Sequence, residues 1–145
     1  MRALGVDLGT KRIGIATSDA SGTIATPLVV LQRSGSREQD HRAIANIVEE
    51  YEARCVVVGL PLNMDGTSGE AARAAIAEAG QLASVVNVPV LTYDERRTTV
   101  TADNILMQQK MNAQERRKVI DKVAAAVLLQ AWLDGETVAD VVADD

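Results

Sequence analysis

Three carboxylates in this chain stand where a carboxylate needs a reason. Asp7 lies between Val6 and Leu8 in an apolar stretch, ALGVDL, directly before a glycine turn. A strand-end aspartate bonding to turn amides accounts for it as well as a ligand role does. The second position is Thr92-Tyr93-Asp94-Glu95-Arg96-Arg97, which starts at the C-terminal end of an expected strand. That edge of a parallel sheet is where ligands and catalytic groups gather. Neighbouring residues on an extended backbone point to opposite faces, so only one of Asp94 and Glu95 enters a shared site, and spacing alone does not choose. Helix capping by Asp94 with Thr98 or Thr99, and a Glu placed favourably at a helix start, is the competing account. Asp121 is the most informative, because it falls inside an expected helix. Asp121, Ala125, Leu128 and Trp132 recur at i, i+4, i+7 and i+11 and form one mostly apolar stripe. An acid on that stripe faces the sheet, and a buried carboxylate is costly unless hydrogen-bonded, protonated or bound to a cation. The alternative is an exposed acid pairing with Arg117, one turn earlier.

If these acids converge at one end of a sheet they repel one another, and a divalent cation resolves the repulsion. Mg²⁺ or Mn²⁺ takes oxygen ligands, keeps positions open for water and phosphate, and suits hydrolysis of a phosphodiester. The net charge of −5 looks wrong for a protein that handles nucleic acid, but its distribution matters more than its sum. Eight of the fifteen Lys and Arg lie in Lys11-Arg12, Arg96-Arg97 and Arg116-Arg117-Lys118 with Lys122, next to the three acids in sequence. Acidic residues collect elsewhere, around Glu49-Glu50-Glu52 and in the tail from Asp140 to Asp145. A local basic face that holds a polyanionic backbone is therefore feasible.

The elements that must position these groups read as follows. ALGVDL, RIGIATSD and TIATPLVVL are three strands joined by the tight turns Gly9-Thr10-Lys11 and Ala20-Ser21-Gly22, an antiparallel meander. A helix over 37–53 carries Ile44, Ile47, Val48 and Tyr51 at helical spacing. The continuous apolar run at 54–58 is expected as a parallel strand covered on both faces. An alanine-rich helix over 69–85, a strand over 89–93 and helices over 97–109 and 112–134 complete the order βββαβαβαα, with Asn112 and Glu115 in a capping-box arrangement. The expected fold is α/β: a mixed sheet of three antiparallel and then two parallel strands, flanked by helices. All of 1–145 reads as one domain, with an acidic tail from about 136 that frays at its end.

Composition excludes several classes. With no Phe, one Trp and two Tyr, base-stacking platforms are nearly excluded. The start MRALGVDLGT is broken by charge and glycine, so it is not expected to be a signal peptide. No stretch approaches the roughly 18 apolar residues of a membrane span, so a soluble cytoplasmic protein without membrane partners is expected. Cys55 opens the apolar run CVVVGL and is expected to be a buried, inert thiol. His41, the only histidine, sits on a polar helix start and is expected in solvent. There is no Cys/His set for zinc, and no histidine is placed to serve a Ser or Cys nucleophile. The loop carrying Gly59, Pro61, Asn63 and Gly66 should lie at the same sheet edge, but it lacks the spacing of a phosphate-binding loop.

Four long segments, VDLGTKRIGIATSD, VVVGLPLNMDG, TYDERRTT and RRKVIDKVAAAVLLQAWLD, are similar in order and spacing to the signatures of the YqgF/RuvX family, RuvX-like nucleases. The resemblance spans nearly the whole chain. It implies a ribonuclease H-like fold, dependence on Mg²⁺ or Mn²⁺, and a nuclease processing the 5′ end of precursor 16S rRNA. Resolution of Holliday junctions in branched DNA is the alternative activity it implies. By resemblance, Asp7, Glu95 and Asp121 are the catalytic, metal-binding acids, and Asp94 is a less certain fourth. Lys11, Arg12, Arg96 and Arg97 match basic positions that would contact nucleic acid, and Arg117 and Lys118 extend that set beside Asp121. Ala79-Gly80-Gln81 stands where members commonly carry Phe, which implies a packing difference in that helix. Asp7-Leu8-Gly9-Thr10 also resembles the phosphate turn of sugar-kinase and actin-like ATPases, but those need two domains. A non-catalytic RNA- or ribosome-assembly-binding module is the remaining rival, against which the three acids speak. The chain could act as a monomer in end processing, whereas a junction resolvase needs two active sites and hence a homodimer.

Overall fold

A computed structural model describes residues 1–61, 65, 69–94, 113–135 and 140–141, with side chains described except at 113–122 and 140–141. The three opening strands form as expected: β1 (Ala3–Leu8), β2 (Arg12–Ser18) and β3 (Ala25–Gln32). β1 pairs antiparallel with β2, and β2 with β3, whose outer edge carries Pro27 beside a register shift at Ile15/Ala16. An edge strand at an irregularity is where a residue without an N–H is tolerated.

Helix α1 (Arg37–Glu50) starts where Ser36 accepts a hydrogen bond from the Gln39 amide, and it buries Ile44 and Val48. Strand β4 (Cys55–Leu60) is then inserted parallel to β1. Helix α2 (Glu70–Ala83) leads to β5 (Val90–Asp94), parallel to β4. The long helix α3 (Ala113–Asp134) follows. The sheet order is β3-β2-β1-β4-β5, and a two-residue strand β6 (Asp140–Val141) adds antiparallel to the outer edge of β5. The open edge of β5 offers unpaired backbone groups that a passing segment can satisfy; the end of the acidic tail, 142–145, lies outside the described residues. The expected helix over 97–109 and the Asn112 cap lie outside the described residues.

The sheet has a core on each face. Leu4, Val6, Ile13, Ile15, Val56, Val58 and Val90 pack with Ile44 and Val48 of α1 and Leu82 of α2. Ala3, Ala16, Cys55, Val57 and Tyr93 pack with Ala125, Leu128, Leu129 and Trp132 of α3. CVVVG is apolar throughout because Val56 and Val58 point to one core and Cys55 and Val57 to the other. Cys55 is buried, as expected. Among the described residues, no helix is long and apolar enough to cross a membrane.

Gly5 sets how closely α3 approaches β1. A Cβ at Gly5 would meet the Leu129 Cβ at 2.8 Å and the Ala125 carbonyl oxygen at 2.9 Å, so only glycine lets the helix backbone lie against the strand there.

Candidate active site

Asp7 is the next-to-last residue of β1, and strand alternation places it on the α3 face. Leu4 and Val6 enter the α1/α2 core while Ala3 enters the α3 core, so positions 3, 5 and 7 share the α3 face. Its partner across β2 is Gly14, which carries no side chain. The turn after it is tight. The Gly9 amide donates to the Asp7 carbonyl at 3.1 Å, and a Cβ on Gly9 would come within 2.5 Å of the Arg12 carbonyl oxygen.

Helix α3 brings Asp121 toward the same edge. The Gln130 Oε1 accepts from the Ala25 amide at 2.9 Å, which ties the C-terminal part of α3 to the far end of the sheet, where β2 ends and β3 begins. Ala125 and Leu129 lie against Gly5. The helix therefore runs back along β1, and its position 121 is one turn, about 6 Å, beyond Ala125 in the direction of Asp7. Asp7 lies two residues, also roughly 6–7 Å, beyond Gly5. Ala125, Leu128 and Trp132 are all buried, as the stripe required. The side chain of Asp121, like those of Arg117 and Lys118, lies outside the described residues.

Asp94 ends β5, in register with Leu60 of β4, and so stands at the same edge. It does not share Asp7's face: Leu91 and Tyr93 pack into the α3 core, which alternates Asp94 onto the α1/α2 side. Glu95, Arg96, Arg97, Asn63 and Gly66 lie outside the described residues. Lys11 is exposed and Arg12 half-buried on the turn following Asp7. Among the described residues no three metal-ligating side chains cluster. The donor chemistry nevertheless fits a hard divalent ion, because Asp7 offers carboxylate oxygens at an edge toward which the helix carrying Asp121 is directed.

The expectation for His41 is corrected by the structure. It is 2% exposed, and its Nε2 lies 2.8 Å from Glu78 Oε2. The start of α1 faces α2 and the end of β3, and Glu78 comes to it from 37 positions away. Glu78 is itself 4% exposed and takes a two-pronged bond from Arg33, Nη1 to Oε2 at 2.7 Å and Nη2 to Oε1 at 2.9 Å. Burial alone would raise the Glu78 carboxyl; the bonds from Arg33 and His41, with the positive charges of Arg33 and Arg37, outweigh it and hold the group below its ordinary value. The same bond to Glu78 raises the Arg33 guanidinium further. Sequence reasoning passed over Arg33 and Glu78. The signal was present: Ala75, Glu78, Ala79 and Leu82 form a stripe at i, i+3, i+4 and i+7, the same pattern that singled out Asp121.

Comparison with known proteins agrees with this architecture. The chain is 49% identical over 135 residues to a protein of Anaeromyxobacter sp. (strain Fw109-5) named "Putative pre-16S rRNA nuclease", covering 93% of this chain and 98% of that one. A protein of Pelotomaculum thermopropionicum with the same name is 43% identical over 136 residues, covering 94% of this chain and 88% of its own. Among solved structures, Thermus thermophilus RuvC in complex with a Holliday junction substrate superposes with a TM-score of 0.60 at 16% identity, covering 97% of this chain and 99% of that one. That likeness establishes a ribonuclease H-like fold. Residues 1–135 match the family described as "RuvX: Holliday junction resolvase", and the chain belongs to that family.

Proposed function

We propose that this chain is a divalent-metal-dependent nuclease that hydrolyses phosphodiester bonds in the 5′-end processing of precursor 16S rRNA, in the cytoplasm. The observation that carries the reading is the direction of α3, whose backbone returns position 121 to the edge where β1 presents Asp7. The names of the relatives supply the substrate class.

Asp7, Glu95 and Asp121 are the residues assigned to hold Mg²⁺ or Mn²⁺. The choice of Glu95 over Asp94 rests on the family resemblance, and it is supported by Asp94 alternating onto the α1/α2 side, away from Asp7. A divalent ion held there supplies activation of water and neutralisation of charge on the leaving oxygen. The protein's own contribution is to hold the acids on a rigid sheet edge and helix. Lys11, Arg12, Arg96, Arg97, Arg117 and Lys118 are assigned to the phosphate backbone, where they position a strand without reading its bases.

The test is cleavage of a precursor 16S rRNA 5′-leader fragment by the full chain with Mn²⁺, beside Asp7→Asn. Cleavage that needs Mn²⁺ and falls at least a hundredfold in Asp7→Asn, with an unreduced melting temperature, is the expected result. Equal cleavage by the two proteins overturns the assignment. The family description favours a second reading, resolution of four-way DNA junctions. Preference for a junction over the leader, together with a dimer in solution, would select it.

A further inference from the structure

The polar cluster of half-buried Arg33 with buried Glu78 and His41 lies on the far side of the sheet from Asp7's face, yet its hydrogen bonds end on the turn that follows Asp7. Arg33 Nε and Nη2 both donate to the Gly9 carbonyl, at 2.9 and 2.8 Å. The Arg33 amide donates to the Lys11 carbonyl at 3.0 Å. One residue thus fastens the turn on both sides of Thr10, through its side chain at Gly9 and its backbone at Lys11. Gly9 in turn donates to the Asp7 carbonyl.

Four of the five guanidinium N–H donors are engaged in hydrogen bonds. Two of these hold Glu78 in the two-pronged bond, and the Asp40 carboxylate lies 3.9 Å from Nη1. Asp40 also accepts from the Ser34 amide at 3.0 Å, fixing the chain just after Arg33. Glu78 is fixed from the opposite side by His41. A buried ion pair is a poor device for stability alone, since desolvation cancels much of its attraction. Its evident product is geometric: a planar fork, oriented from below by Glu78, aimed at one carbonyl oxygen. Arg33 and Asp7 also line a common cleft of about 610 Å³ with Thr10 and Pro61.

We propose that Arg33, held by Glu78 and His41, is a positioning residue that sets the Asp7–Arg12 turn for catalysis. The inference rests on the reading of Asp7 as a metal ligand. Groups that orient a ligand without touching the metal typically affect metal affinity or activity about 10–100-fold.

Two variants separate positioning from folding. Arg33→Lys keeps a cation beside Glu78 but has no fork to reach Gly9. Arg33→Met combined with Glu78→Gln removes both charges and leaves His41 an amide partner, while Asp40 loses the Arg33 cation but keeps the Ser34 amide. Mn²⁺ affinity is measured by calorimetry without nucleic acid, kcat and KM are measured on the rRNA leader fragment, and amide exchange is followed in the peptide spanning 7–12. The expected result for both folded variants is a tenfold or greater loss in kcat and weaker Mn²⁺ binding. KM should change less than threefold, and exchange should be faster in that peptide. Wild-type kcat, Mn²⁺ affinity and exchange in either folded variant overturn the proposal. Asp7→Asn, run alongside, keeps the two readings apart. If it leaves Mn²⁺ binding unchanged, the metal assignment fails; if it abolishes binding while the Arg33 variants behave as wild type, only the positioning role fails.

Discussion

Gly5→Ala probes the contact on which the proposed convergence of Asp7 and Asp121 depends. The added methyl would sit 2.8 Å from the Leu129 Cβ and 2.9 Å from the Ala125 carbonyl oxygen. Ordinary carbon contacts lie near 3.5 Å, so the helix must retreat by about 0.7 Å. Neither atom is the end of a flexible side chain, so a rotamer change does not relieve the overlap. Overpacking of this kind costs about 1–3 kcal/mol, and the rigid partners place this site toward the upper end. Restricting the unfolded chain returns about 0.4–1 kcal/mol, since Gly5 is not among the positive-φ residues and alanine suits its backbone. The net loss is about 2 kcal/mol, or roughly 4–8 °C in melting temperature for a chain of this length. Activity should fall further than stability, because displacing a reacting group by about 1 Å can cost on the order of a hundredfold. The assay is a thermal melt followed by circular dichroism, paired with Mn²⁺-dependent cleavage well below the transition. Leu129→Ala should not rescue the variant, because the contact is with the Cβ that alanine retains. An unchanged melting temperature with unchanged cleavage would refute the close-approach argument.

Two predictions concern groups outside the site. Burial pushes the Cys55 thiol up to about 11; iodoacetamide at pH 8 should therefore leave it unmodified in the folded protein and label it on unfolding, and rapid native labelling would contradict its place beneath α3. Asp19 is held down to about 2 by accepting the Thr23 and Ile24 amides and the Ser21 hydroxyl. Its folded value is depressed, so the stability it confers is fully present above the unfolded value of about 3.9 and disappears as pH falls through about 2. Melts of wild type and Asp19→Asn should differ at pH 5 and converge by pH 2, and a gap that persists at pH 2 would sink the linkage.

Much of this molecule was legible in short-range pattern. ALGVDL and RIGIATS declare their strands by β-rich composition and by the turns that bound them, and the unbroken run CVVVG announces a strand covered on both faces. The stripe Ala125, Leu128 and Trp132 identified the buried face of α3 before any packing was known. These features depend on residues a few positions apart, whose periodicity reports directly on one element. The face of Asp94 was beyond that range, because it needs the parity of β5 relative to β1 across β4, which only sheet register supplies; the preference for Glu95 over it stays with the family resemblance. His41 was misread for the same reason: a polar residue among polar neighbours resembles a solvated one until α2 delivers Glu78 from 37 positions away. Local sequence thus determined the elements and their apolar faces. Tertiary packing alone decided that Asp7 and Asp94 stand on opposite faces, how near α3 can come at Gly5, and that Arg33 reaches the Gly9 carbonyl. Burial and pairing between remote positions are settled by how the layers meet, and periodicity within one element carries no record of that.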